Sequence, residues 1–456
     1  MNVKINNTMR LKFHYFLLLV AMCFFSENYY SQITPSVNVI SIDVSTSPQN
    51  SSFNYDSCFA LGKKIGMGSV GIYQNWTAIE TSPLNYNMFI MDIANVYYPA
   101  HNMAIDLTIA PIHTNNLEVP SDLASLSFSN TVMINRFNRL LDSIKAHIPN
   151  VTLSSLVIGS EHDIYLGNNA LAWANYTKFY NNVSAHAKTL WSGLKVSTEL
   201  TFNGLITQNT FAQNLNSNSD YIGISYYPLN TDFTVKSPTV IPTDFANLVS
   251  LYSSKPLCFY QFGYPSSSTC NSSEVLQSQF ITQTFASWDA YASNIKMIDF
   301  TWLHDLDVSV VNFYSNYYGI TDTAFLEYLR TLGLRNWGSN GANKLAYNEL
   351  LCQAKLRGYN NVASGCLATG SFKNTVENEI IVMPNPVTDY LKIKLNYTSN
   401  NTVIKLYNVL GKIEKEINIL NTFNAEVDLS SLANGLYIIS VENEQGKYLK
   451  KIIIEK

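Results

Sequence analysis

Eight short apolar runs alternate with helix-like segments between about residue 36 and about residue 303, and this alternation constrains the fold most. The intervening segments repeat their apolar residues at helical spacing, as in TVMINRFNRLLDSIKAHI. Strands that alternate with helices form a parallel sheet, and eight such units predict a (β/α)8 TIM barrel. The runs are VNVISIDVS, SVGIYQNW, MAIDLTIAPI, LSSLVIGSEH, KVSTELTF, YIGISYYPL, KPLCFYQFGYP and IKMIDFTWLHD.

The pattern changes near the C-terminus, where Lys alternates with Ile and Leu in DYLKIKLNY, TVIKLYNVLG and KYLKKIIIEK. A period of two is typical of strands with one wet face and one buried face, and it predicts a small antiparallel β-sandwich. We therefore expect a barrel at residues 33–366, a polar linker at 367–379 and the sandwich at 380–456. No chemistry is expected in the sandwich, because no carboxylate pair stands out there.

The N-terminus has the pattern of a secretory signal peptide. Lys4, Arg10 and Lys12 precede an apolar run that is too short to cross a bilayer comfortably. Residues 1–32 are predicted to be removed on export, and the mature protein is predicted to lack a transmembrane segment. Five cysteines would then remain, without a metal-binding spacing, and Cys352 and Cys366 are placed so that they could pair.

Composition excludes some partners and favours others. The chain has 456 residues, a net charge of −4 and only 14% charged residues, which argues against a nucleic-acid partner. It contains 29 Tyr and 6 Trp. Aromatic faces exposed in a cleft commonly bind sugar rings. A general bias of this Asn-rich composition would also explain the number of tyrosines.

Polar and aromatic residues follow the predicted strands at their C-terminal ends, where (β/α)8 enzymes place their reactive groups. The candidate catalytic residues are Glu161 after strand four, Glu199 in strand five, Gln261 in strand seven and Asp305 after strand eight. The candidate substrate-binding residues are Trp76, His113, His162, Asp163, Tyr226, Tyr227, Tyr264 and Trp302.

Carboxyl groups, amides and aromatic rings that converge on one barrel mouth suit the cleavage of a glycosidic bond. Such cleavage needs one carboxylic acid and a second carboxylate. Glu161 meets the first need, because an acid at the end of an apolar strand is costly unless it is used or paired. Tyr226 and Tyr227 are adjacent and point to opposite faces, so only one faces the mouth. His162 and Asp163 lack a third ligand, so no metal or other cofactor is predicted.

The barrel resembles the clan-A glycoside hydrolases, and most closely the family 53 endo-β-1,4-galactanases. The motifs are SEHDIYLG in strand four, IGISYYPL in strand six and GYPSS after strand seven, with looser matches in WTAIETSPLNYN, EVPSDL and LEYLRTLGLR. The resemblance implies a secreted hydrolase of a β-linked, galactan-like polysaccharide. It also implies an acid/base at Glu161 and a nucleophile at position 261.

The chain departs from that family at two positions. Gln261 stands where the nucleophile is a carboxylate, and Ser160 stands where the clan places an Asn that binds the sugar 2-hydroxyl. An amide carries no charge and cannot form a glycosyl ester. Three alternatives remain: Asp305 or Glu199 acts as the base, the substrate supplies its own nucleophile, or the protein is a non-catalytic glycan-binding pseudo-enzyme. A purely structural surface protein would not need polar groups at the strand ends.

The tail resembles the C-terminal sorting domain of the type IX secretion system. The matching segments, in order, are MPNPVTDYLKI, LYNVLGK and LANGLYIISVENEQGKYLKKIIIEK. The resemblance implies that the type IX machinery is a partner, and that the protein is exported across the inner and outer membranes to be secreted or held at the cell surface. The alternative is a carbohydrate-binding sandwich that stays in place.

Overall fold

The computed structural model describes residues 38–44, 54–337, 341–361, 380–399, 402–408, 412–420, 422–443 and 446–456. The predicted signal peptide at 1–32 and the predicted linker at 367–379 lie outside the described residues. The chain divides into two compact units, Met1–Ser364 and Gly365–Lys456, and each is described by itself.

The first unit is a closed barrel of eight parallel strands, which confirms the predicted fold. The fifth strand has two segments on either side of Thr198; the first pairs with strand four and the second with strand six, so the sheet closes through it. The strands are β1 (Val39–Ile42), β2 (Ser69–Asn75), β3 (Ala104–His113), β4 (Leu153–Ser160), β5 (Lys195–Ser197 and Glu199–Thr201), β6 (Ile222–Tyr226), β7 (Leu257–Phe262) and β8 (Ile295–Phe300).

Helices pack around the barrel, and the longer ones bury an apolar stripe against it. In the helix Thr131–His147, the buried residues Phe137, Leu140 and Ile144 recur at helical spacing, and the Asn130 side chain caps the first turn by accepting from Val132 N–H. The helices are α1 (Tyr55–Ile65), α2 (Trp76–Ile79), α3 (Phe89–Ala100), α4 (Thr131–His147), α5 (Asp163–Leu166), α6 (Ala170–Leu190), α7 (Phe202–Thr207), α8 (Asn209–Leu215), α9 (Ile241–Leu251), α10 (Glu274–Ala290), α11 (Val308–Tyr318), α12 (Thr323–Arg330) and α13 (Leu345–Leu356).

The second unit is built of antiparallel strands, as the period-two pattern predicts. One sheet contains Ile380–Met383, Tyr390–Ser399 and Thr422–Asp428, and the other contains Ile413–Ile419, Thr402–Asn408, Gly435–Asn443 and Gly446–Ile454. Alternate residues such as Leu391, Ile393, Ile404 and Leu406 point inward and form a separate apolar core.

Cysteine use matches only part of what the sequence suggests. Cys352 is disulfide-bonded, and Cys366 lies outside the described residues. Cys258 and Cys270 are buried thiols. Within the described part of the chain, every helix is too short or too polar to cross a membrane.

Candidate active site at the barrel mouth

Glu161 lies immediately after β4, at a sharp turn of the backbone. Its φ is +50°, and Gly159 two residues earlier has φ +87°. A Cβ on Gly159 would lie 2.2 Å from the Tyr176 hydroxyl, so only glycine fits there. A non-glycine residue in this left-handed region is uncommon and is often found at functional sites. The Glu161 N–H donates to the Glu199 carbonyl at 3.0 Å, which fixes the turn against β5.

The Glu161 carboxylate is held by two hydroxyl groups from neighbouring strands. Thr114 Oγ1 donates to Glu161 Oε2 at 2.7 Å, and Ser225 Oγ donates to Glu161 Oε1 at 2.6 Å. Thr114 follows β3 and Ser225 lies in β6, so the carboxylate is oriented from both sides. The side chain remains partly exposed.

Gln261 lies at the C-terminal end of β7, level with Ser225 of β6. Its Nε2 donates to Ser160 Oγ at 3.0 Å and to Glu199 Oε2 at 3.3 Å. Its Oε1 accepts from the Tyr227 hydroxyl at 3.0 Å. Both ends of the amide are therefore used, and a carboxylate in the same place could not donate to Glu199.

Glu199 is the second carboxyl group at the mouth and lies deeper than Glu161. It pairs with Gly223, two residues before Ser225 along β6, and is only 1% exposed. Ser160 Oγ donates to its Oε2 at 2.8 Å, while its Oε1 is buried and has no hydrogen-bond partner among the described residues. Burial, followed by the nearby charge of Glu161, raises the pKa of Glu199 to about 8. Glu199 is therefore a neutral acid at pH 7.

These groups form two side-chain clusters, one around Glu161 and one around Gln261 and Glu199, joined by the backbone bond from Glu161 N–H to the Glu199 carbonyl. Together we call them the mouth network: Thr114, Ser160, Glu161, Glu199, Ser225, Tyr227 and Gln261. The structure thus brings together three of the four predicted catalytic positions. Sequence reasoning missed Thr114 and Ser225. Strand alternation gives a signal for Ser225, because it lies on the opposite face from Tyr226 and the same face as Tyr227.

Aromatic residues line the mouth beside this network. Tyr227 contributes its hydroxyl to Gln261, as described above. His113 bonds the hydroxyls of Tyr317 and Tyr318, each at 3.1 Å, and burial lowers its pKa to about 4, so it is neutral. Trp302, half-buried after β8, stacks on Tyr314 with a centroid distance of 6.3 Å.

Three predicted sugar-binding aromatics lie elsewhere. Trp76 is fully buried, and its Nε1 donates to Glu80 Oε2 at 2.8 Å. Tyr226 points outward from β6, and its hydroxyl donates to Asp244 of α9 at 2.7 Å. Tyr264 is 1% exposed and donates to the Lys236 carbonyl at 2.8 Å. All three side chains are buried in structural contacts, so the predicted sugar-binding role of these three residues is wrong.

His162 and Asp163 are also buried behind the mouth. His162 stacks on Tyr176 with a centroid distance of 4.4 Å, and burial lowers its pKa to about 3. Asp163 accepts from both the backbone N–H and the hydroxyl of Thr201, at 2.9 Å and 2.6 Å. Both residues hold the loop after β4 against β5.

Asp305 makes no hydrogen bond to the mouth network among the described contacts. Its carboxylate is buried and paired with Lys344, whose ammonium group also donates to Ser266 Oγ at 3.0 Å and to the Gly333 carbonyl at 2.9 Å. A carboxylate held in this way is part of the scaffold. Glu199 is therefore the nearer candidate for a second carboxyl group.

Replacement of Lys344 by Met is expected to destabilise the barrel. It would leave the Asp305 charge buried and unpaired, which typically costs about 3–5 kcal/mol. The exposed pair of Lys188 and Asp220 provides a matched control, because Lys188→Met should cost less than about 1 kcal/mol. Urea unfolding of both variants checks this, and equal small losses would contradict the scaffold role of Asp305.

The raised pKa of Glu199 predicts that Glu199→Gln changes the pH dependence of stability. The folded state holds a proton that the unfolded state loses above the ordinary glutamate pKa of 4.5, so the contribution of Glu199 falls as pH rises from about 4.5 to about 8. Glu199→Gln removes this loss and keeps an acceptor for Gln261. We expect the variant to gain at least about 1 kcal/mol over the parent between pH 5 and pH 8, measured by urea unfolding. A pH-independent difference would contradict the assignment.

Comparison with known proteins supports the barrel fold of the first unit and the sorting-domain assignment of the second. Residues 381–455 match the family of the secretion system C-terminal sorting domain. No curated protein is similar to the chain. Among solved structures, the exo-β-1,4-mannosidase Op5Man5 from an Opitutaceae bacterium, strain TAV5, has a TM-score of 0.54 and 14% identity, with 70% of this chain and 59% of that chain covered. Xylanase 10C from Cellvibrio japonicus with xylopentaose has a TM-score of 0.51 and 10% identity, with 71% and 68% covered.

A Bacteroides uniformis β-glucuronidase is also similar, with a TM-score of 0.48 and 12% identity over 92% of this chain. The chain spans 46% of the length of that glucuronidase and 59% of the mannosidase. The barrel therefore shares the (β/α)8 fold of the mannosidase and the xylanase. The C-terminal segment is a secretion system sorting domain, which confirms the predicted tail and indicates export through the type IX machinery.

Proposed function

We propose that this chain is an exported glycoside hydrolase-like protein that binds a β-linked polysaccharide at the barrel mouth, and in which Gln261 impairs hydrolysis. Glu161 is its acid/base, and Tyr227, His113 and Trp302 contact the sugar. The observation that carries the proposal is the mouth network. It joins a partly exposed carboxylate to a second carboxyl group at the strand ends where barrel enzymes act.

Residual hydrolysis would use Glu199 as the base that activates water. Because the pKa of Glu199 is raised to about 8, few of these groups are ionised at neutral pH. Hydrolysis needs Glu199 ionised while the one proton of the pair lies on Glu161, and the pair loses this proton above about pH 8. Release of reducing sugar should therefore fall as pH increases from 7 to 10. A rate that rises over this range would contradict the role of Glu199 as the base.

Non-catalytic glycan binding is the second candidate, and the bonding of Gln261 favours it. The amide is satisfied at both ends, and its neighbour Glu199 is neutral at pH 7, so this part of the network offers hydrogen bonds and no charged nucleophile. A binding protein needs only the hydroxyls, the amide and the aromatic faces. The protein would then be retained at the cell surface or released with its glycan-binding cleft intact.

Reducing-sugar release from a panel of β-glycans separates the two candidates. Galactan belongs in the panel because of the sequence resemblance to family 53. Release by the parent chain that Glu161→Gln abolishes would support hydrolysis. Binding without release, in both chains, would support the non-catalytic function. Neither binding nor release on any glycan would overturn the proposal.

A further inference from the structure

The chain after β8 forms a helix that extends across part of the barrel mouth. The C-terminal end of α11 is tied to the ends of β2 and β3: the Tyr317 hydroxyl donates to Glu118 Oε1 at 2.6 Å and accepts from Asn75 Nδ2 at 3.3 Å. Asn116 Nδ2 donates to the Tyr317 carbonyl at 3.0 Å. Because β8, β1, β2 and β3 are consecutive around the barrel, α11 passes over the end of β1 to reach this anchor.

The following helix, α12, lies over the next strands on the other side of β8. Tyr328 packs edge-on against Tyr227 of the β6 loop, with a centroid distance of 5.5 Å. Phe325 lies 5.0 Å from Phe233 in the same loop, and Ser267 after β7 donates to Glu327 at 2.8 Å. Helices α11 and α12 share an apolar core of their own that includes Val311, Phe325, Tyr328 and Leu329.

Tyr318 of α11 and Tyr328 of α12 lie close enough to Glu161 to interact with its charge. Beyond Glu161, no described contact of either helix covers α5 or the end of β5. Beside Glu161, α5 and the start of α6 expose apolar side chains to solvent: Ile164 is 49% exposed, Tyr165 43% and Leu171 70%. An exposed apolar surface at the edge of a cleft offers contact area to a ligand that extends out of the cleft.

We infer that the mouth accepts the end of a glycan chain and not an internal segment. A chain bound internally must leave the site on two opposite sides. Here the helices after β8 close the side over β1, β2 and β3, and the only exit these contacts leave open passes over α5 and the end of β5. The inference rests on the proposed glycan function and narrows its substrate class to chain ends and short oligosaccharides.

Binding measured against the number of chain ends tests this inference with the full chain. A soluble β-glycan bound by the parent protein is partly hydrolysed with acid, so that chain ends increase while the mass of glycan stays constant. We expect the amount of protein bound at saturation to rise in proportion to the number of ends. Binding that follows glycan mass would overturn the inference and leave the proposed function intact. No binding to any glycan at any length would overturn the proposed function as well.

A variant pair gives a second readout. Tyr317→Ala removes the anchor of α11 and should allow internal binding, so that binding to the uncut glycan increases several-fold. Val308→Ala is the matched control, because Val308 lies at the other end of the same helix, is 62% exposed and takes no part in the anchor. If soluble, folded Tyr317→Ala still binds in proportion to the number of chain ends, closure of the mouth by α11 is contradicted.

Discussion

Exchanging the side chains at two positions, by Gln261→Glu together with Glu199→Gln, is expected to raise hydrolysis of the bound β-glycan at least about 100-fold over the parent. The exchange places a carboxylate at the end of β7, where it can attack the sugar. It also places an amide at position 199, which can donate to that carboxylate. The network keeps its hydrogen bonds because donor and acceptor only change places across the 3.3 Å contact.

Gln261→Glu alone is expected to gain less. The new carboxyl group would lie beside Glu199 and share with it the single proton of the pair, so only part of the molecules would carry the charge at position 261 at pH 7. Glu199→Gln alone supplies no nucleophile and should not gain. Reducing-sugar release by the four proteins at pH 6–9 measures this coupling. Equal activity of the single and double variants would contradict it.

Adding Glu161→Gln to the double variant Gln261→Glu, Glu199→Gln is expected to have the second large effect. It removes the group that donates a proton to the leaving oxygen, and hydrolysis should fall by about 10²–10⁴-fold. Glycan binding should change by only a few-fold, because the amide oxygen can still accept a hydroxyl hydrogen bond from Thr114 or Ser225. Separate measurements of kcat and binding would show this difference.

Glu118→Gln is the matched control for Glu161→Gln. Like Glu161, Glu118 is a carboxylate that accepts from two hydroxyls, those of Thr77 and Tyr317, but it is buried and lies outside the mouth network. We expect it to retain hydrolysis within a few-fold. A comparable loss in both variants would indicate a general disturbance of the mouth and would remove the support for Glu161 as the acid.

The sequence predicts the fold well because its signals are periodic and repeated. Each of the eight apolar runs contains a barrel strand, and the change from helical spacing to alternation marks the sorting domain. The pair Tyr226 and Tyr227 also follows from strand alternation, with Tyr226 packed outward against α9. Such patterns need only local geometry, which the order of residues determines.

The site is harder to predict because it depends on contacts between distant segments. Asp305 and Glu199 look equivalent in the sequence, but one is neutralised by Lys344, 39 positions away, and the other contacts Gln261. In the sequence, Trp76 follows a predicted strand, where a sugar-binding residue is expected. In the fold, its ring is buried and its Nε1 donates to Glu80. The cover formed by α11 depends on pairing with β2 and β3, which lie about 200 residues earlier.

Equilibrium binding of the parent protein to the β-glycan panel, galactan included, is the most direct test of glycan binding at the barrel mouth. We expect at least one β-linked glycan to bind, and Trp302→Ala to weaken this binding at least about tenfold through the loss of a sugar-stacking surface. The absence of binding to every glycan would contradict glycan binding at the mouth. Binding that is insensitive to Trp302→Ala and to Tyr227→Ala would place the glycan away from the mouth and would contradict it as well.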